Sequence, residues 1–247
     1  MKRKVLASLP VFAFFLCWEL SSRFFEKRTG GLFPPPSVVA YETIRLSFEG
    51  ILADHFWRTF LRVIIGFLSG AFLGVLLGIA MGWKGLAERT LHPLISLLYP
   101  IPALGWIPLL MIWVGIGELL PILVIAIHSF FPVCYSTMTG IRNVDRRLIK
   151  VARTLGYSSR RTLFSVAIPS SLPYILSGLR LSSGGAWRVV IAAEMIAIPK
   201  GLGALLMKAE SLIRVDIILA CLFVLSLMSF LFERVFLWIE RAFQNSP

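Results

Sequence analysis

The stretch GIRNVDRRLIKVARTLGYSSRRTLFSVAIPSSLP, residues 140–173, stands apart from everything around it. It carries Arg142, Arg146, Arg147, Lys150, Arg153, Arg160 and Arg161 against the single acid Asp145, in a chain otherwise built of long apolar runs. The excess of basic residues assigns this stretch to the cytoplasmic side of a membrane. Asp145 is a candidate N-cap. Leu148, Ile149, Ala152 and Leu155 then recur at helical spacing, and Gly156 stands where a helix-ending glycine belongs. Ser158 starts a second short helix in which Leu163, Phe164, Ala167 and Ile168 share a face, and Pro169 and Pro173 are expected to stop it and begin the next membrane segment. The expectation is two short helices meeting at a glycine corner.

Composition bounds the class independently. Of the 247 residues 57% are hydrophobic and 15% charged, and the apolar residues fall into several blocks rather than one core, which marks an all-α polytopic membrane protein. Blocks of the length needed to cross a bilayer predict about six spans: Val5 to Phe25, Thr59 to Gly82, His92 to Val114, Leu119 to Thr139, Tyr174 to Ile196 and Asp216 to Ile239. Six crossings return both termini to the cytoplasm. Residues 26–58 are then external, with the stiff Pro34-Pro35-Pro36 leading into an amphipathic helix on the membrane face. Pro199 to Val215 is a second external segment, a Gly-rich turn and a short helix. The net charge of +12 sits at block ends and in the basic stretch, a distribution that fits anionic lipid and a cytoplasmic partner rather than nucleic acid. Met1-Lys2-Arg3-Lys4 and the apolar run after it read as an uncleaved first span, because Cys17-Trp18-Glu19 lacks a small-residue cleavage pattern. Cys17, Cys134 and Cys221 lie in apolar blocks without metal or redox spacing.

Within the spans, Gly66, Gly70, Gly74, Gly78 and Gly82 recur every fourth residue, a helix-packing stripe that serves contact within one subunit or a dimer seam. Pro93, Pro100, Pro102 and Pro108 break the third block. Irregular backbone at that depth needs protein or a water-filled cavity to satisfy its freed carbonyls, which makes Pro100, Pro102, Trp106 and Pro108 pathway candidates. Arg188, near the middle of the fifth block, is a candidate anion contact, with a structural ion pair as the other reading. Glu194 is expected near the external end as a gate or packing anchor, and His128 as a hydrogen-bonded bundle residue. No G-x-x-x-x-G-K-[ST] loop, His-Glu-x-x-His pair or nucleophile elbow occurs, so neither catalytic residues nor metal ligands are assigned. Leu181-Ser182-Ser183-Gly184-Gly185 lies inside an apolar block, where small residues serve packing.

The run Lys150-Val151-Ala152, followed by Gly156 and then Val166, Ile168 and Pro169, resembles the Glu-Ala-Ala loop of ABC importer permeases. Leu32-Phe33-Pro34-Pro35-Pro36-Ser37, Tyr99-Pro100-Ile101-Pro102-Ala103-Leu104, Trp106-Ile107-Pro108-Leu109, Gly115-Ile116-Gly117-Glu118 and Ala192-Ala193-Glu194-Met195 are similar to the nitrate, sulfonate and taurine branch. The resemblance covers nearly the whole chain and departs from the family at Lys150, where glutamate is usual. It implies a type I ABC importer-like fold with a cytoplasmic coupling-helix loop. Residues 1–54 would form a first helix, connector and amphipathic segment, 55–240 the permease domain with its coupling loop at 140–173, and 241–247 a cytoplasmic tail. It further implies a non-catalytic homodimeric subunit in a bacterial or archaeal inner membrane, with ATP and magnesium on a separate ATPase and a solute-binding protein outside. Leu155, Gly156 and Tyr157 would enter the ATPase groove, with Lys150, Arg153 and Arg160 on its walls. The solute would be a small anion such as an alkanesulfonate, taurine or nitrate. A vitamin precursor or aromatic acid is the alternative within the family, and an ion-coupled secondary transporter or channel the alternative outside it.

Overall fold

The computed structural model describes residues 2–244, and the chain is helical nearly throughout, with no strand among these residues. Met1, the end of the expected tail at 245–247, and the side chains of the Lys2-Arg3-Lys4 cluster lie outside the described set. The helices are α1 (Lys2–Thr29), α2 (Pro36–Phe48), α3 (Ile51–Trp83), α4 (Gly85–Leu98), α5 (Ile107–Val114), α6 (Leu119–Arg142), α7 (Arg146–Thr154), α8 (Ser159–Thr162), α9 (Ile168–Ala197), α10 (Leu202–Ser211) and α11 (Val215–Gln244). They form two compact units, Met1–Thr59 with Pro199–Leu225, and Phe60–Ile198 with Ser226–Pro247.

Among the described residues four helical stretches are long and apolar enough to cross a membrane: Ile51–Trp83, Leu119–Arg142, Ser159–Ile196 and Val215–Phe243. A fifth counts if α4 and the segment Ala103–Val114, bent by 92° at the break between them, form one span. The bend falls at Tyr99 to Pro102, as the prolines of the third block lead one to expect. The first expected span falls on the 28-residue helix α1, which is not among those stretches. The second begins at Ile51 rather than Thr59, because Ile51 to Arg58, with its mixed polar and aromatic residues, continues the helix instead of ending a loop.

One expectation is corrected outright. The helix that starts at Ser159 does not stop at Pro169 but runs on to Ile196. The reason is a wider, π-type turn at Leu163–Ala167, in which Ile168 N–H bonds the Leu163 carbonyl five residues back. The shifted register brings Pro169 into the first turn of α9, where a missing N–H is tolerated.

In the first unit, Glu19 of α1 caps α2: its carboxylate accepts from the Ser37 N–H at 3.1 Å and the Ser37 hydroxyl at 2.8 Å. An acid there complements the positive end of the helix dipole. α2 is amphipathic, with Val39, Glu42 and Leu46 buried and Tyr41, Ile44 and Phe48 exposed. Glu42 pairs with Arg45 and Arg214. α10 is joined to the start of α3, where Leu202 N–H donates to the Thr59 hydroxyl at 2.8 Å.

In the second unit, α6 is the central helix. The glycine stripe of α3 lies against it: a Cβ at Gly66 would come within 2.7 Å of the Ile122 carbonyl oxygen, and one at Gly74 within 2.7 Å of the Phe130 oxygen. At Gly70 the added carbon would overlap the Ala126 carbonyl. The stripe therefore serves close backbone approach within the subunit. On its other side α6 meets α9 through Gly140, Gly178 and Gly185, against Tyr174, Ser136 and His128 respectively.

Candidate functional site: a capped basic corner and a buried ion-pair network

At the basic stretch each local signal has a partner. Asp145 accepts from the Arg147 N–H at 2.8 Å and starts α7. The helix ends with Tyr157 N–H bonded to the Ala152 carbonyl and Gly156 N–H to the Arg153 carbonyl, both at 3.0 Å. That double closure needs a left-handed residue, and Gly156 supplies it at φ +80°. Ser158 then accepts from the Arg161 N–H at 3.3 Å, and the Arg161 guanidinium stacks 4.1 Å above the Tyr157 ring.

The apolar residues of α7 do not share one face as expected. Ala152 is buried, and the half-buried Ile149 packs with Ile141, Val144, Ala167, Leu163 and Ile168 at the ends of the long helices. Leu148, Val151 and Leu155 point outward, 49%, 57% and 70% exposed. They form an apolar strip flanked by the exposed Lys150, Arg153 and Arg160. A nine-residue helix anchored on one side and apolar on the other is a firm platform with an uncovered contact surface.

The other charged feature of this unit is internal. Arg62 of α3 is 2% exposed, and its Nη1 donates to Glu194 of α9, itself fully buried, at 2.6 Å. Its Nε and Nη2 bind Glu118 at the start of α6 in a two-pronged pair of 2.6 and 2.8 Å. Three long helices are thus tied through one guanidinium, beside an apolar cluster of Ile107, Leu110, Leu120, Val124 and Ala193. Glu194 is therefore enclosed, and its partner is Arg62 rather than Arg188. Arg62 was absent from the sequence candidates although it stands inside an apolar block. The signal was present: an arginine within a span, and two acids in the Gly115–Glu118 and Ala192–Met195 motifs.

Arg188 is exposed on α9. His128 is not hydrogen-bonded as expected, since its Nε2 is buried against Gly185 without a partner. Pro100 and Pro102 line a cleft of about 320 Å³ together with Tyr99, His128 and Phe131. Trp106 packs on the Ile107 cluster with its indole N–H buried and unbonded, and Pro108 occupies the first turn of α5. The broken segment and His128 thus line one cleft, whereas Glu194 and Trp106 belong to the packed interior. No group of three or more His, Cys, Asp or Glu gathers among the described residues.

With this geometry in place, comparison with known proteins is informative. Residues 70–245 match the family model described as binding-protein-dependent transport system inner membrane component. A Methanocaldococcus jannaschii protein described as a candidate ABC transporter permease is 38% identical over 239 residues, covering 94% of this chain and 88% of that protein. The taurine transport system permease protein of Escherichia coli is 34% identical, covering 81% and 74%. A candidate aliphatic sulfonates transport permease protein of Bacillus subtilis is also 34% identical, covering 84% and 75%. Among solved structures, a chain of the MetNI methionine ABC transporter in an inward-facing form shares the fold, with a TM-score of 0.58 at 18% identity over 76% of this chain and 93% of that one. The match over most of the chain and the relatives above 30% identity settle the family: the chain is a multi-pass membrane protein belonging to the binding-protein-dependent transport system inner membrane components.

Proposed function

We propose that this chain is the permease subunit of an ATP-driven importer for a small sulfonate-type anion, working as a homodimer between two ATPase subunits and an external solute-binding protein. The observation that carries the reading is the Gly156 corner, a helix capped at both ends whose inner face is anchored and whose outer face presents Leu148, Val151 and Leu155 among cations. Such a surface suits a groove on a cytoplasmic ATPase, with Leu155, Gly156 and Tyr157 entering it and Lys150, Arg153 and Arg160 on its walls. ATP and magnesium bind the partner, whose closure draws the two corners together. Because Ile149 and Ile168 pack with Ile79 and Trp83 of α3 and Ile141 of α6, that displacement passes directly into the membrane helices. The basic corner is cytoplasmic by its charge, and so are both termini. Lys150 is a cation, so its contact with the groove is to an acid or a carbonyl rather than to a base.

The taurine and sulfonate relatives support the substrate class. Arg188 and the cleft at Pro100 and Pro102 are the pathway groups suited to it: a cation, and an irregular stretch of backbone whose carbonyls and amides are not all held within a helix. Purifying the tagged chain from native membranes tests the assembly. A P-loop ATPase is expected with the native chain and is expected to be lost on Leu155→Asp, while a native chain that arrives alone would sink the proposal. For the solute, uptake of labelled taurine into proteoliposomes holding the whole complex should be competed by alkanesulfonates. Competition by aromatic acids alone would reassign the substrate.

A further inference from the structure

A second cavity, of about 370 Å³, opens where the apolar lengths of α3 and α6 end, and of its charged lining only Arg153 enters the transport reading. Its wall carries Arg142, Arg146, Arg153, Glu88, Ser159 and the indole of Trp83. Glu88 is paired with Arg142. Arg146 and Arg153, one near each end of α7, have no ion-pair partner among the described residues, and Asp145 beside them is engaged with the Arg147 N–H. Both arginines face one open cavity, beside the apolar side chains of Ile141 and Val144.

We infer that this pocket binds the phosphate group of an anionic membrane lipid. Guanidinium groups present paired donors that match phosphate oxygens, and are less strongly hydrated than ammonium, so they suit a half-enclosed site. The depth fits a headgroup rather than a soluble ion: Trp83 and Arg142 are the last residues of their membrane helices, and tryptophan and arginine concentrate where hydrocarbon gives way to headgroups. Leu86, just beyond Trp83, is 77% exposed and offers an acyl chain an apolar surface beside the phosphate. Basic pockets between membrane helices on the cytoplasmic side recognise lipid headgroups in this way. The site would link lipid composition to the firmness with which α7 is held, since Arg146 and Arg153 both belong to that helix.

The test uses the full chain, delipidated in mild detergent and exposed to equal amounts of phosphatidylglycerol and phosphatidylcholine, with retained lipid counted by native mass spectrometry. Phosphatidylglycerol is expected to be kept in preference, and Arg146→Gln to weaken its retention about five-fold, the effect of one cation at a lipid surface. Glu88→Gln removes the one acid, frees Arg142 and should strengthen retention. That gain cannot arise from poor folding. Retention unchanged in both variants would overturn the site. Displacement of the lipid by excess inorganic phosphate would overturn the lipid as ligand and assign the same guanidiniums to a free phosphate ion.

Discussion

The two ends of α3 treat charge in opposite ways. Near its start, Arg62 is sealed inside the helix bundle and matched to two glutamates. About 30 Å further along, by the rise per residue, Trp83 lines a cavity with Arg146 and Arg153, which have no ion-pair partner among the described residues. Charges satisfied internally hold helices together, and charges left unsatisfied call for something outside the chain. The difference separates a part of the molecule held together by its own charges from the part proposed to receive force.

The largest expected effect comes from breaking the sealed end. Arg62→Leu leaves Glu194 buried without its cation, which costs about 3–5 kcal/mol, read as a lower unfolding temperature in detergent. Arg62→Leu combined with Glu194→Leu should recover most of that loss, because an apolar pair needs no partner there. A double variant as unstable as the single one would show that packing, not charge, decides. Next in size is the stripe. Gly70→Val drives a side chain into the α6 backbone at Ala126 and should cost about 1–3 kcal/mol or more, whereas Gly85→Ala, with open space around it, should shift stability by about 1 kcal/mol at most. Equal effects at the two positions would contradict close packing of α3 on α6.

At the unsatisfied end the effects are smaller in stability and larger in function. Asp145→Ala removes the cap of α7 and should cost the helix about 1 kcal/mol, seen as faster amide exchange over residues 146–154 with the long helices unaffected. Faster exchange spread through α3 and α6 would mean that the loop is not a separate unit of stability.

Much of this division was legible in the sequence. The five glycines on one helical face, the caps at Asp145 and Ser158, and Gly156 as a left-handed corner are all local signals, and the backbone realises each of them. Three things were hidden, each for a physical reason. Pro169 reads as a helix stop because a π-type turn five residues wide, which absorbs the missing N–H, leaves no mark in periodicity. Leu148 and Leu155 read as an inner face because α7 is apolar on more of its circumference than it buries, and only the neighbours at Ile141 and Val144 decide which side turns in. Arg62 was passed over because its partners are 56 and 132 residues away in sequence. No window joins them; only the meeting of α3, α6 and α9 does.

The most direct test of the corner as the place where force enters is Gly156→Val in the reconstituted complex, with ATP hydrolysis and solute uptake measured on the same proteoliposomes. The left-handed φ of +80° is costly for valine, while the membrane helices do not depend on it. The expected result is a chain that inserts and folds normally but in which hydrolysis no longer drives uptake. Coupled uptake at the native ratio would contradict docking at Gly156 and leave the basic corner without its assigned role.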